Sequence, residues 1–108
     1  MDNQQVTVTE IDLAWLAGFW DGEGTITITW DQFHKVYRPN IEVCSANANA
    51  IAKVVAIMTT LDAKPAVWTK APHARSRYTM FYARTASFAK VGRALRAMHP
   101  YLVIKKDH

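Results

Sequence analysis

The chain has 108 residues, half of them hydrophobic and a fifth charged. This length supports one modest hydrophobic core, and this composition differs from that of disordered proteins. No apolar run approaches the ~20 residues that cross a bilayer. No signal peptide is recognisable, and the single Cys44 excludes an internal disulfide. These features predict a single domain over residues 1–108 of an intracellular protein that is not secreted and does not bind membranes.

The net charge of +4 is unevenly distributed along the chain. Residues 1–63 carry three basic side chains against eight acidic ones, whereas residues 64–108 carry ten basic side chains against one acidic one. A basic half favours a polyanionic partner, because lysine and arginine gain affinity by displacing the counterions of phosphates. Charge alone therefore leaves two interpretations, a nucleic-acid-binding surface and a merely solvated basic surface.

The first predicted element is a helix that begins after Thr9 and continues to about Asp21. Thr9 is a suitable N-cap, and Asp12 stands where a capping box places an acid. Apolar residues then recur every three or four positions, which is the spacing of a helix face that packs on a core. The predicted core residues are Leu13, Leu16, Ala17 and Trp20.

The other side of this helix carries small residues at helical spacing. The predicted dimer interface consists of Ile11, Ala14 or Trp15, Gly18 and Gly22. A glycine inside a helix costs roughly 1 kcal/mol against alanine, and a second helix can offset that cost by approaching closely where Cβ atoms are missing. The alternative is that Gly22 only caps the helix and that Gly18 has no role.

Two acids occupy the end of the same helix. Asp21 and Glu23 lie where the helix dipole disfavours negative charge, so a cation is expected nearby. Mg²⁺ binds one or two carboxylates together with water and phosphate oxygens. The two acids therefore predict a divalent-metal site at this position.

Two strands follow, and both alternate between the two faces of a sheet. In residues 25–30 the inward side chains are Ile26, Ile28 and Trp30, and the outward ones are Thr25, Thr27 and Thr29. In residues 36–45 the inward side chains are Tyr37, Pro39, Ile41 and Val43, and the outward ones are Arg38, Asn40, Glu42 and Cys44. By itself the outward face is also compatible with an ordinary solvated surface.

A second helix is predicted after these strands, and a hairpin follows it in the basic half. The helix is capped by Asn47 or Asn49 and runs from Ala48 or Ala50 to about Leu61, and strands follow at residues 66–70 and 77–84 around a loop at 71–76. Both faces of the last strand are partly apolar, which leaves its inward face open. The strongest candidate nucleic-acid patch combines charge for phosphates with arginine forks for bases. It consists of Lys70, Arg75, Arg77 and Arg84, with Tyr78 and Tyr82 beside them.

A third helix is predicted from Ala86 or Ser87 to Met98. Its predicted buried residues are Phe88, Val91, Leu95 and Met98. His99 and Pro100 end the helix, and the chain continues through an apolar segment to Lys105 and Lys106. The four histidines of the chain lack the spacing of a histidine-based metal nuclease.

Residues 16–24, Leu-Ala-Gly-Phe-Trp-Asp-Gly-Glu-Gly, resemble the nine-residue signature of the LAGLIDADG homing endonucleases, with a helix before and a strand after. The Pro-Tyr-Leu segment before the two lysines resembles the second recurrent element of that family. The resemblance implies an α+β fold of αββαββα order over about residues 9–106, with a curved four-stranded antiparallel sheet. It also implies dimerisation through the first helix, and one motif per chain implies that the active form is a homodimer.

The resemblance further implies roles for individual residues. Glu23 would bind the catalytic Mg²⁺, or another divalent ion such as Mn²⁺, beside Gly22. Asp21 would support the turn, and Lys105, with Lys106 as the alternative, would position the attacking water. The outward sheet face would lie in the major groove, where arginine pairs with guanine, asparagine with adenine and glutamate with cytosine. The implied DNA-binding residues are Thr25, Thr27, Thr29, Arg38, Asn40, Glu42, Lys70, Arg75, Arg77, Arg84 and Lys106.

The implied function is Mg²⁺-dependent cleavage of double-stranded DNA by a homodimer at a long pseudo-palindromic site, in the context of intron or intein mobility. The resemblance also implies a cytoplasmic or nucleoid, organellar or phage-encoded protein. The sequence departs from the family at three points. Ser45 or Ala46 stands where a longer amide or basic side chain is common, glutamate replaces aspartate at Glu23, and family members commonly continue into further helices beyond the position of His108. The alternative function is a DNA-binding regulator or RNA maturase on the same fold with weak or absent catalysis.

Overall fold

The computed structural model describes residues 8–72 and 77–105. In this part of the chain, the elements are α1 (Glu10–Glu23), β1 (Gly24–Asp31), β2 (Val36–Ser45), α2 (Ala48–Thr60), β3 (Ala66–Lys70), β4 (Met80–Ala86), α3 (Phe88–Met98) and a 3-10 turn (His99–Tyr101). The strands form one antiparallel sheet in the order β1-β2-β4-β3. The α+β class and the αββαββα order are therefore confirmed. No helix among these residues is both long and apolar enough to cross a membrane.

A single hydrophobic cluster lies between the sheet and the three helices. Its fully buried side chains come from every helix and from the two central strands. They include Leu16, Ala17, Trp20, Ile41, Val54, Met58, Ala83, Ala94 and Met98. Burial of large apolar side chains is the main favourable term in folding, at about 1.5–3 kcal/mol each. The core therefore holds the signature helix α1 firmly against the sheet.

The start of α1 is fixed by a capping box. Thr9 Oγ1 accepts the Asp12 N–H at 3.1 Å, and Asp12 Oδ2 accepts the Thr9 N–H at 3.2 Å. The helix continues two residues beyond the predicted Asp21 and ends at Glu23.

Gly24 joins α1 to β1 under the ring of Trp20. A Cβ atom on Gly24 would overlap the Trp20 indole, so only glycine fits there. The indole Nε1 in turn donates to the Thr25 carbonyl at 3.2 Å. This tight junction sets the direction in which β1 leaves the end of α1.

Side-chain caps fix the starts of the other two helices, resolving the alternative at α2 and placing the first residue of α3 at Phe88, just after the predicted Ala86 or Ser87. Asn47 caps α2, because its Oδ1 accepts the Ala50 N–H at 3.1 Å. Ser87 caps α3, because its Oγ accepts the Lys90 N–H at 3.2 Å.

The fourth strand differs from the prediction of residues 77–84. It runs from Met80 to Ala86, because its pairing with β3 starts where Lys70, the last residue of β3, meets Met80. Phe81, Ala83 and Thr85 face the core, which settles the orientation that the sequence left open.

Four residues predicted to be buried are largely exposed, and the prediction was wrong for each. They are Ile28 (68% exposed), Trp30 (52%), Tyr37 (60%) and Phe88 (68%). They lie at the outer ends of β1 and β2 and at the first residue of α3, where the strands extend beyond the helical layer. A residue pattern identifies the face of an element, whereas the length of the covering layer decides burial.

Candidate functional site

Asp21 links the end of α1 to a segment more than 80 residues away. Its Oδ2 accepts the Val103 N–H at 2.7 Å, and its Oδ1 accepts the N–H groups of Ile104 at 3.0 Å and Lys105 at 2.8 Å. The Val103 bond is the largest cause that lowers the pKa of Asp21. Burial opposes it, and the amides of Lys105 and Ile104 and the Lys105 charge lower the pKa further. The carboxylate is thus occupied by backbone amides.

Lys105 is held at the same helix end by its side chain as well. Its Nζ donates to the backbone carbonyl of Asp21 at 2.6 Å. Carbonyls of the last helical turn lack intrahelical partners, and the helix dipole favours a cation there. The ammonium has three N–H donors, so two remain after the Asp21 bond.

Glu23, the last residue of α1, lies two residues beyond Asp21 and is exposed. Its carboxylate makes no hydrogen bond or ion pair with any residue that the structure describes. Burial is the largest cause that raises the pKa of Cys44, and the charges of Glu42 and Glu23 raise it further. Glu23 therefore lies close enough to Cys44 of β2 to act on its thiol electrostatically.

The residues at this helix end fit a hard divalent cation. Glu23 offers carboxylate oxygens, and Gly22 belongs to the last turn, whose carbonyls lack intrahelical partners. Mg²⁺ and Ca²⁺ both prefer oxygen ligands of these types. Within residues 8–72 and 77–105, no group of three or more His, Cys, Asp and Glu side chains is arranged for a metal ion.

The small-residue side of α1 is open. Ile11 is 80% exposed, and Ala14, Gly18 and Gly22 are exposed as well. A Cβ atom built on Gly18 or Gly22 would meet nothing within 4 Å. The fold of the chain therefore does not require glycine at either position. We call Ile11, Ala14, Gly18 and Gly22 the small stripe.

Trp15 lies on the flank of the small stripe and packs within its own chain. Its ring stacks on Phe19 with centroids 5.2 Å apart, and the Lys53 ammonium of α2 lies 4.4 Å from the Trp15 centroid. Of the two predicted alternatives, Ala14 belongs to the exposed stripe and Trp15 contacts α2. Its role at a dimer interface remains a prediction.

The sheet surface opposite the helices, here the open face, carries the outward side chains of the strands. Thr25, Thr27 and Thr29 are exposed, and they pair across β1 and β2 with Glu42, Asn40 and Arg38. The β4 side chains Tyr82 and Arg84 lie on the same face, opposite Cys44 and Glu42. The structure therefore brings most of the predicted DNA-binding residues onto one surface.

Arg38 is tied to the end of β1. Its Nε donates to Asp31 Oδ2 at 2.7 Å, and His34 Nδ1 lies 2.8 Å from the same oxygen. The Arg38 bond is the largest cause that holds the pKa of Asp31 well below its usual range, followed by the His34 amide and ring, while burial opposes them. Asp31 thus orients Arg38, a partnership that the sequence reasoning missed.

Asn40 lies on the predicted face but is only 6% exposed. Its Oδ1 accepts two hydrogen bonds from Arg84, from Nε at 3.0 Å and from Nη2 at 2.7 Å. Its Nδ2 donates to Thr29 Oγ1 and to the Arg38 carbonyl, both at 3.4 Å. The amide is therefore engaged within the sheet rather than presented to solvent.

The basic edge of the open face is built on stacked rings. Trp68 of β3 and Tyr82 of β4 stack with centroids 5.2 Å apart, and Lys70 Nζ lies 5.7 Å from the Tyr82 centroid. Arg77 is exposed just before β4. The predicted sites Arg75 and Lys106 lie outside the described residues. Sequence reasoning missed Trp68, whose position opposite Tyr82 follows only from the strand register.

No protein-family model matches the sequence, and no curated protein matches it. The fold, by contrast, matches solved structures. One is the homing endonuclease I-CvuI in complex with its target in the presence of 2 mM Ca (TM-score 0.63, 22% identity, 89% of this chain and 59% of I-CvuI). Another is the group I intron-encoded homing endonuclease I-CeuI complexed with DNA (TM-score 0.62, 19% identity, 93% of this chain and 48% of I-CeuI).

The LAGLIDADG homing endonuclease I-GzeII in complex with its DNA target also matches (TM-score 0.64, 14% identity, 87% of this chain and 31% of I-GzeII). The chain thus spans less than two thirds of each of these proteins. The family resemblance carried by residues 16–24 is confirmed at the level of structure: the chain has the fold of the LAGLIDADG homing endonucleases.

Proposed function

We propose that the chain is a site-specific endonuclease domain that acts as a homodimer on double-stranded DNA. The observation that carries the proposal is the arrangement at the end of α1, where the Glu23 carboxylate, which has no partner among the described residues, adjoins both the open face and the small stripe. In a twofold dimer packed through the small stripe, two Glu23 carboxylates would meet near the centre of two joined open faces. A shared fold with proteins that were solved on DNA supports the same proposal.

The residues at the end of α1 have separate tasks in this proposal. Glu23, with the Gly22 carbonyl, would hold a divalent cation such as Mg²⁺ or Mn²⁺. Such an ion supplies Lewis-acid polarisation of a phosphate oxygen and lowers the pKa of bound water. Lys105 would direct its remaining N–H donors and its charge at the scissile phosphate. Asp21 would keep Lys105 in place through the amides of residues 103–105.

The open face would bind the duplex in the major groove. Its threonines, Arg38, Glu42 and Arg84 offer donors and acceptors to base edges, and Lys70 and Arg77 add charge for phosphates. A twofold dimer would bind a pseudo-palindromic site with matched half-sites. Binding that depends on lysine and arginine would weaken steeply with salt.

The test is cleavage of a plasmid library that carries random target sites in the presence of Mg²⁺. We expect a specific site to be cut by the native protein and not by Glu23→Gln, which should still bind that site. Glu10→Gln is the matched control, since Glu10 is an exposed glutamate at the opposite end of the same helix. If no site is ever cut, or if Glu23→Gln cuts as well as Glu10→Gln, the nuclease proposal is wrong.

One observation favours the second candidate, a DNA-binding regulator or RNA maturase on this fold. Ser45 stands near where the family often has a longer amide side chain, and its Oγ accepts the Asn47 N–H at 3.0 Å. The hydroxyl is therefore used in the turn before α2. Sequence-selective, salt-dependent binding to duplex DNA or to intron RNA, without metal-dependent cleavage, would identify this function.

A further inference from the structure

Arg84 and Asn40 form a side-chain pair in the middle of the open face, between β2 and β4. They are 44 residues apart in the chain, and both contacts to Asn40 Oδ1 (3.0 and 2.7 Å) have the length of good hydrogen bonds. The two donors, Nε and Nη2, form one edge of the planar guanidinium. That edge is therefore fully engaged by a single amide oxygen.

The end of the guanidinium between Nη1 and Nη2 makes no hydrogen bond to any residue that the structure describes. Arginine has five N–H bonds in a fixed fork, and Asn40 takes two of them. The two N–H bonds on Nη1 and one on Nη2 point away from Asn40. The side chain of Arg84 is exposed, and its neighbours on this face include the short Ala66 and Ala86. Two parallel donors are thus directed outward, which matches the O6 and N7 acceptors of guanine in the major groove.

Asn40 itself is poorly placed to contact a base. It is 6% exposed, and its Nδ2 is directed at Thr29 Oγ1 and the Arg38 carbonyl. These contacts hold the amide with its oxygen toward Arg84. The Nδ2 group of the amide is therefore held by β1 and β2, and its Oδ1 accepts the hydrogen bonds of Arg84.

No carboxylate neutralises Arg84 among the described residues. Glu42 stands directly opposite it in the strand register, yet no oxygen of Glu42 comes within ion-pair distance. Arg84 is thus oriented by a neutral group, without an ion pair to any described residue. An arginine held in this way loses less side-chain entropy when it binds, because its fork is already fixed.

We infer that Asn40 is a positioning residue that fixes Arg84 to read one guanine in each half-site. The inference rests on the proposed binding of double-stranded DNA and deepens it. It replaces the expected contact between Asn40 and adenine with an indirect role. Arg84 is the specificity-determining residue, and Asn40 acts only through it.

The test is selection of bound duplexes from a random pool, followed by sequencing, for the native protein and a set of variants. We expect the native protein to prefer guanine at one position per half-site by about 5- to 150-fold. Arg84→Lys, which keeps the charge but loses the fork, should abolish the preference at that position alone. Asn40→Ala should weaken the same position by about tenfold, and Asn40→Asp, which keeps an acceptor for Arg84, should retain it.

A double variant and a control variant distinguish a positioning role of Asn40 from a general loss of structure. Adding Asn40→Ala to Arg84→Lys should change that position no further, as expected for residues that act as one unit. Asn49→Ala removes an exposed amide on α2 and should leave every preference unchanged. Thermal unfolding of each variant checks the fold, and Asn40→Leu, which is similar in size but has no acceptor oxygen, carries the test if Asn40→Ala unfolds.

Distinct results overturn the inference. If Asn40→Ala keeps the full guanine preference, or alters an adenine position that Arg84→Lys leaves intact, Asn40 does not act through Arg84. If Asn40→Asp loses the preference as Arg84→Lys does, the acceptor oxygen is not what matters. A native protein that selects no sequence at all overturns the proposed function together with this inference.

Discussion

Replacing a glycine of the small stripe should stabilise the monomer and weaken the dimer. Gly18 lies in the interior of α1, and a Cβ atom there would meet nothing within 4 Å. Within one chain, Gly18→Ala removes only the entropic cost of glycine in a helix. We therefore expect the free energy of unfolding of the monomer to rise by about 1 kcal/mol. In a domain of this size that is a gain in Tm of about 4–8 °C.

The homodimer should respond in the other direction. If two α1 helices pack closely through the small stripe, each Cβ added at Gly18 enters a space that the partner backbone fills. Overpacking of this kind costs about 1–3 kcal/mol. The dimer dissociation constant should therefore rise by roughly 5- to 150-fold. Gly18→Leu should separate the subunits at concentrations where the native protein is dimeric.

The assay combines sedimentation across a concentration series with urea unfolding at protein concentrations below the dissociation constant. Gly92→Ala is the matched control, because it also replaces a helical glycine, and its Cβ would meet only the end of the Arg96 side chain at 3.1 Å. We expect Gly92→Ala to leave self-association unchanged. If Gly18→Ala stabilises the monomer and sediments like the native protein, the small stripe is not the dimer interface and Gly18 has no role there.

Three further predictions follow from the end of α1. Gly24→Ala should lower the free energy of unfolding by about 1–3 kcal/mol in urea titrations, because its Cβ would overlap the Trp20 indole; an unchanged midpoint would contradict this. Folding lowers the pKa of Asp21, so its carboxylate stabilises the fold at pH values above its ordinary pKa of about 3.9. That stabilisation is lost as the pH falls through the lowered pKa of the folded state. Asp21→Asn should therefore flatten the loss of urea stability below about pH 4, and an unaltered pH profile would argue against it. Lys105→Met should reduce the cleavage rate about 10²–10³-fold with little change in DNA affinity. Lys64→Met removes an exposed charge elsewhere and should leave the rate unchanged. If both substitutions reduce the rate equally, Lys105 contributes only to the overall positive charge of the protein.

The sequence was most informative where one local pattern decides the structure. Thr9 and Asp12 form the predicted capping box, and residues 25–30 form the predicted strand. Helical and strand periods also assigned Leu16, Ala17, Trp20, Ile41 and Val43 to the core, where they lie. The same patterns misassigned Ile28 and Phe88, because periodicity does not tell how far the helical layer covers the sheet.

In the candidate site too, the residue types could be predicted from the sequence but their contacts could not. Its two acids, its glycines and its open-face residues stand in contiguous stretches of sequence, so the residue types were visible before the structure. The partnerships of those residues were not. The bond from Lys105 to Asp21 joins residues 84 apart, and the bonds from Arg84 to Asn40 join residues 44 apart.

The sequence by itself determined the helix–strand order, the faces of α1, β1 and β2, and the resemblance of residues 16–24 to a nuclease signature. Each of these depends on neighbours within one helical turn or one strand, where spacing alone sets direction. Only the tertiary structure decided that Asp21 is occupied by the amides of residues 103–105, that Glu23 has no partner in the described part of the chain, and that Asn40 holds Arg84. Those outcomes depend on strand register and on the path of the chain after α3, which no local spacing specifies.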